Sequence, residues 1–131
     1  MSESTVRPIG SVISADLTVP QTESIRDFYK AVVGWESQEM EMSDDNGAYA
    51  DYVMKDSAGN WFGGVCHPRG MNAALPPVWI VYIHVENVDT SVQKAIELGG
   101  KMIHSMNKED GSLIFAIIQD PIGAVMGLMT A

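Results

Sequence analysis

One turn occurs twice in this chain. Asp56-Ser-Ala-Gly-Asn-Trp-Phe-Gly-Gly64 and Asp120-Pro-Ile-Gly-Ala-Val-Met-Gly-Leu128 each place a D-x-x-G turn before a short apolar run. In both, a glycine stands seven residues after the aspartate, and the two copies lie 64 residues apart in a chain of 131. A single copy is a common turn, because Asp bonds its own backbone and Gly takes positive φ. Two copies half a chain apart, with similar patterns before each, predict an internal repeat. The sequence then reads as two versions of one unit.

In the first version, Ser11–Val19 alternates as a strand, with Ile13, Ala15, Leu17 and Val19 on one face. Val12, Ser14, Asp16 and Thr18 form the other face, which is polar for a central strand. Pro20 ends the run, and Gln21 or Thr22 opens a helix whose stripe is Thr22, Ile25, Phe28, Tyr29 and Val32. Gly34 stops that helix. Strands follow at 35–42, 48–55 and 61–66, the first of them glutamate-rich and so an edge. His67–Pro77 carries Pro68, Gly70, Pro76 and Pro77, and reads as an irregular connector. The second version repeats the order. A strand at 78–86 puts Trp79, Val81, Ile83 and Val85 opposite Ile80, Tyr82 and His84. Asn87 or Asp89 caps a helix over 90–98 with Val92, Ala95 and Ile96 as its stripe. Gly99-Gly100 ends it, and strands follow at 101–106, 112–119 and 124–130.

Two βαβββ modules, 10–66 and 78–130 joined by 67–77, predict one α+β domain over residues 1–131. Its helices would lie on the outer face of a curved mixed sheet or barrel-like cavity. A ferredoxin-like pair of units is the competing topology, but it wants a second helix before the last strand of each half. Neither half offers one.

Composition narrows the function classes. Hydrophobic residues make up 46% and charged residues 19%, enough for a core. A formal net charge of −9 opposes binding to nucleic acid or to anionic membranes. The single Cys66 gives no internal disulfide and no zinc framework. No apolar run reaches spanning length, and residues 1–8 lack a signal core. A cytoplasmic protein is the expectation. Nine methionines suit a loosely shaped apolar space or ordinary core filling.

Several fragments, in this order and spacing, resemble the glyoxalase, bleomycin-resistance and extradiol-dioxygenase superfamily, the vicinal oxygen chelate proteins. They are Ala15-Asp-Leu-Thr-Val-Pro20, Phe28-Tyr29 with Gly34-Trp35, Trp79-Ile-Val-Tyr-Ile-His-Val85, Gly99-Gly100 and Asp120-Pro-Ile-Gly123. The resemblance covers roughly residues 10–130. It implies paired βαβββ modules, often in a homodimer, and a divalent metal held by His, Glu or Gln. Carried over by spacing, the metal positions fall on Ser14, Gly63, Ile80 and Gly127. That set offers no ligand cluster, since a neutral serine alone is a poor ligand for such cations. The chain thus resembles a small two-module member lacking the usual metal ligands, and no cofactor is expected.

Strand parity directs Ser14, Asp16, Thr18, Trp61, Tyr82 and His84 toward the cavity that the resemblance implies. Tyr52 is a further candidate. Rings with a few polar groups are the usual lining of a small-molecule pocket. Asp16 also reads as a solvated strand end, and His84 as a satisfied core or rim histidine. As a pair, the carboxylate would orient the imidazole for proton transfer. Gly63 and Gly127 would leave volume where metal-binding relatives place side chains, so that Gly127→Leu would block ligand uptake without unfolding. His67, His104 and Cys66 read as loop, surface and inert core. Asp51 is a minor pocket candidate. The leading expectation is a metal-free protein, in homodimers, that binds an apolar or aromatic compound with polar groups. The alternatives are a metal-dependent lyase or dioxygenase, a metal-free isomerase or lyase using Asp16 and His84, and a purely structural or interaction protein.

Overall fold

The computed structural model describes residues 7–131. The described chain divides into two compact units: Ala15–Trp79, and residues 7–14 together with Ile80–Ala131. Each unit holds one βαβββ module, except that Val12–Ser14, the start of the first module's first strand, group with the second unit. The connector 67–77 belongs to the first unit.

The first module contains β1 (Val12–Thr18), α1 (Thr22–Val33), β2 (Glu36–Asp44), β3 (Gly47–Lys55) and β4 (Trp61–Cys66). Its strands are ordered β2-β3-β4-β1. β1 and β4 run parallel, and the other neighbours are antiparallel. The parallel pair follows from the helix, since a strand that returns through a crossover enters the sheet in the same direction. The second module contains β5 (Ile80–His84), α2 (Val88–Glu97), β6 (Lys101–Asn107), β7 (Leu113–Gln119) and β8 (Val125–Met129). Its order is β5-β8-β7-β6, again with one parallel pair, β5 with β8. The first module's strands end on the glutamate-rich β2, where charge suits an edge.

Each helix covers one face of its own sheet. Leu17, Val19, Tyr52, Met54 and Val65 form the first core, with Ile25 and Tyr29 of α1 packed against it. Trp35, Phe62 and Trp79 extend it as an aromatic cluster, in which Trp79 Nε1 donates to the Tyr29 hydroxyl at 3.1 Å. Val88 and Val92 of α2 pack on Ala116, Ile118 and Leu128 in the second. The apolar stripes are narrower than their spacing suggests. Phe28 and Val32 are 54% and 62% exposed, and Ile96 is exposed as well. Only Thr22, Ile25 and Tyr29, at i, i+3 and i+7, line up over the first sheet.

The helix ends differ. Asn87 caps α2, its side chain accepting from the Thr90 N–H at 2.9 Å. At α1 the cap position is Gln21, left-handed at φ 56° with no side-chain cap bond. The Thr22 hydroxyl donates instead to the Val19 carbonyl at 2.8 Å. Gly34, at φ 77°, closes the C-terminus of α1 with its N–H on the Lys30 carbonyl. Among the described residues no helix is long and apolar enough to cross a membrane.

Candidate functional site

The face of each sheet turned away from its helix decides what the module can bind. In the first module that face holds a cavity of about 210 Å³. Strand alternation delivers Asp16 from β1, Asp51 and Val53 from β3, and Cys66 from β4, with Met40 and Met42 of β2, Trp61 and Asn72 completing the wall. Among the described residues no lysine or arginine lines it.

Asp16 accepts a hydrogen bond from the Gly64 backbone, yet its carboxyl is raised to about 6. Burial is the main cause, and the nearby charge of Asp51 adds to it. Asp16 takes part in none of the ion pairs among the described residues. The Cys66 thiol is pushed up by burial and then by Asp51 and Asp16, so it stays protonated and is a poor nucleophile.

Asp51 is only 5% exposed and is held from behind. The His67 N–H donates to its Oδ1 at 2.8 Å, and His67 Nδ1 lies 3.3 Å from the same oxygen. On the far side of the ring, Nε2 lies 3.0 Å from Glu23 Oε2, which also accepts the Tyr52 hydroxyl at 2.8 Å. That bond is the chief reason the Glu23 carboxyl sits below its ordinary range. The Glu23 side chain is 52% exposed. A hydrogen-bonded line therefore runs from a cavity carboxylate through an imidazole to solvent. Arg69 pins the same connector by a two-pronged bond to Asp44, at 2.8 and 3.0 Å, and lies over the Tyr49 ring. His67 is thus part of the site's support and not a free loop residue.

The sequence-derived candidates divide between the modules. Asp16, Trp61, Gly63 and Tyr52 line the first-module cavity. Tyr52 does so along its backbone, because its ring turns to α1, where it bonds Glu23 and lies under Arg26. The parity of β3 is therefore opposite to the one assumed, and Asp51 and Val53 supply the side chains. Gly63 faces the helix side with its partner Ala15, and a Cβ there would lie 1.7 Å from the Ala15 carbonyl oxygen. The glycine that shares a face with Asp16 is Gly64. A register shift between Met54 and Lys55, opposite Trp61–Gly63, accounts for this one-residue change. Thr18 is buried in the same strand but is not part of the cavity wall.

Ser14, Ile80, Tyr82, His84 and Gly127 belong to the second unit. Gly127 stands beside Tyr82, and a Cβ on it would lie 2.4 Å from the Tyr82 ring. The volume freed by this glycine is filled by tyrosine, so it is not ligand space. Ile80 is buried, as is Ser14. His84 Nδ1 accepts the Ala131 N–H at 2.9 Å, tying down the chain end. Asp16 and His84 thus lie in different units, each with partners inside its own.

No protein-family model matches the sequence. The protein named "Putative glyoxylase CFP32" in Mycobacterium bovis and in Mycobacterium tuberculosis is 27% identical over 116 residues, 88% of this chain and 44% of each relative. The chain therefore spans about half the length of the curated relatives it matches. Methylmalonyl-CoA epimerase from Mycobacterium tuberculosis superposes with a TM-score of 0.56 at 12% identity, covering 99% of this chain and 93% of that one. The Streptomyces coelicolor epimerase, in complex with 2-nitronate-propionyl-CoA, gives 0.56 at 13%, covering 95% and 99%. The chain has the vicinal oxygen chelate fold.

The divalent metal that a vicinal oxygen chelate fold implies does not fit these residues. Among the described residues no group of three or more His, Cys, Asp or Glu could hold a metal ion. Of the four positions carried over from the fold, Ile80 has no donor, the Gly63 Cβ direction meets backbone, and the Gly127 direction meets the Tyr82 ring. Ser14 alone supplies an oxygen.

The residues missed were Gly64, Cys66, His67, Met40, Met42, Val53 and Asn72, and Asp51, a minor candidate in the sequence, stands at the centre of the wall. One signal was present for Asp51 and Val53. Ala50, Tyr52 and Met54 form the more apolar set of their strand, the set a helix would cover.

Proposed function

We propose that this chain is a small-molecule-binding protein that works without a chelated metal, and that the first-module cavity is its pocket. The observation that carries this reading is the cavity itself. Two aspartates and a thiol converge on a wall of Met40, Met42, Val53 and Trp61. An apolar pocket with a few convergent polar groups and a shifted carboxyl is the usual form of a ligand site. At about 210 Å³ it suits one ring with a short substituent, below the ~300–1,000 Å³ typical of drug-sized ligands. A solved methylmalonyl-CoA epimerase of the same fold holds methylmalonyl-CoA, which supports an organic ligand here. Homodimers in the cytoplasm, engaging neither nucleic acid nor membrane, complete the proposal, and the net charge of −9 supports its last part.

Native mass spectrometry on protein purified without added metal tests it, followed by incubation with Zn, Ni, Mn and Fe(II). A retained organic mass that is lost in Trp61→Ala supports the reading. A stoichiometric metal that survives buffer exchange overturns it.

A second reading is favoured by one specific feature, the Asp16 carboxyl near 6. A group poised there can take or give a proton at neutral pH, as an isomerase or lyase requires. The line Asp51–His67–Glu23 would exchange that proton with solvent from inside the first module. Substrate-dependent deuterium incorporation, absent in Asp16→Asn, is the test of this reading.

A further inference from the structure

We propose that the first-module cavity selects an organic cation, an arylalkyl ammonium compound whose charge sits between Asp16 and Asp51 and whose ring lies on Trp61, Met40 and Met42. The inference rests on the pocket reading above and names its ligand class.

Charge balance comes first. Two carboxylates face one small space, and among the described residues no cationic side chain lines it. The nearest connector cation, Arg69, is committed to Asp44 by both prongs. His67 reaches Asp51 from behind, through the oxygen that its N–H also holds. Asp16 has a backbone N–H and no ion-pair partner among the described residues. A buried carboxylate without a counter-charge is unfavourable, and a ligand ammonium removes that penalty. An anionic ligand would add a third negative charge to the same space. A neutral alcohol would donate one hydrogen bond and leave the charge in place.

The walls agree with the charge. Trp61, half-exposed, stands on the lining with its ring available, and an aromatic face attracts ammonium groups. Met40 and Met42 are flexible and polarizable and fit an aryl ring. The titratable groups facing Asp16 are Asp51 on β3 and Cys66 on β4, with His67 and Glu23 behind Asp51. Cys66 stays neutral. Asp16 is charged above about 6 and neutral below it, so cation uptake weakens as pH falls through that value.

Three probes of one size separate the outcomes: phenethylamine, 2-phenylethanol and phenylacetate. Binding is followed by calorimetry and by the NMR signal of the Trp61 indole N–H. At pH 7.5 phenethylamine binds at least ~10-fold tighter than 2-phenylethanol, and phenylacetate binds weakest. Asp16→Asn erases the advantage of the amine. Wild-type protein gives a second measurement that needs no variant. Between pH 7.5 and 5 the advantage shrinks several-fold while the amine keeps its charge, since such amines titrate near ~10. If 2-phenylethanol or phenylacetate matches phenethylamine, the cation assignment is overturned and the pocket reading stands. If no probe binds, both fall.

Discussion

Asp16 and Tyr82 occupy corresponding places in the two modules, and they treat the glycine beside them in opposite ways. Asp16 pairs with Gly64 across a parallel ladder, and Tyr82 pairs with Gly127 across the other. Both glycines leave room on the face turned away from the helix. In the first module a short acid takes a hydrogen bond from its glycine's backbone, and a cavity remains. In the second a tyrosine ring lies over the glycine, beside Phe115 and near the fully buried Ile117. One βαβββ plan thus yields a face with a cavity and a face that is filled. The size of a single side chain beside a glycine makes the difference.

Glycine substitutions test that contrast most severely. Gly63→Ala drives a methyl into the Ala15 carbonyl, which is backbone and cannot rotate aside. We expect a loss of about 3 kcal/mol or more, read by urea denaturation. Gly64→Ala, whose nearest neighbours lie at 3.3–3.4 Å, stays folded with a loss below about 1.5 kcal/mol. Equal losses at the two sites would mean that the register of β1 on β4 is not as described.

Asp16 provides the next largest effect. Its folded carboxyl is raised from 3.8 to about 6, so the native state holds the proton more tightly than the unfolded chain does. Stability therefore falls as pH rises from about 4 through about 6, by about 2–3 kcal/mol at ~1.36 kcal/mol per unit. Carboxylates such as Glu23, Asp44 and Asp120 are lowered instead and lose their contribution as pH falls, at more acidic pH. The difference between wild type and Asp16→Asn isolates the Asp16 part. Asp16→Asn should be the more stable protein at pH 8 and lose that advantage near pH 4. A flat difference across this range would remove the desolvated acid from the cavity, and the first-module face would lose its distinguishing feature.

Much of the fold was legible in the sequence, and the reason is local. Alternation placed the first strand of each module, Gly34 marked the end of α1, Asn87 was one of two candidates for the start of α2, and the repeated Asp turns marked the last hairpin of each module. The Asp56 and Asp120 carboxylates each accept several N–H groups of their own turns, a contact encoded within five residues. The site was less legible because facing depends on register. The shift between Met54 and Lys55 exchanged Gly63 for Gly64. The ring of Tyr52 goes to Glu23, 29 residues earlier, and no short-range pattern encodes that. His67 looked like loop because its partners, Asp51 and Glu23, come from two different elements. Gly127 was read as empty volume because a glycine in a sequence does not reveal which neighbour leans over it.

That last error gives a sharper test of the filled face. In Gly127→Ala the new methyl meets the Tyr82 ring and not backbone, so the damage is repairable. A loss of about 2 kcal/mol is expected for the single substitution. Combined with Tyr82→Leu, the two effects should be less than additive, with a coupling of about 1 kcal/mol. Additive effects would mean that the ring does not occupy the space above Gly127.

The smallest expected difference lies at the helix starts, where the modules again solve one problem in two ways. The Asn87 side chain satisfies the Thr90 N–H, and Asn87→Ala should cost about 1 kcal/mol. Gln21 occupies the same position in α1 without a cap bond and in a left-handed conformation that costs a side chain roughly 1 kcal/mol. Gln21→Gly relieves that strain but gives the unfolded chain more freedom, so the net change should fall between zero and about 0.5 kcal/mol of stabilisation. Thermal denaturation of both variants then ranks the two ends. Stabilisation at Gln21 with loss at Asn87 means that the module with the cavity carries the more strained helix start. A clear loss at Gln21 would mean instead that its side chain holds the entry to α1, and α1 carries Glu23, the outer end of the Asp51–His67 line.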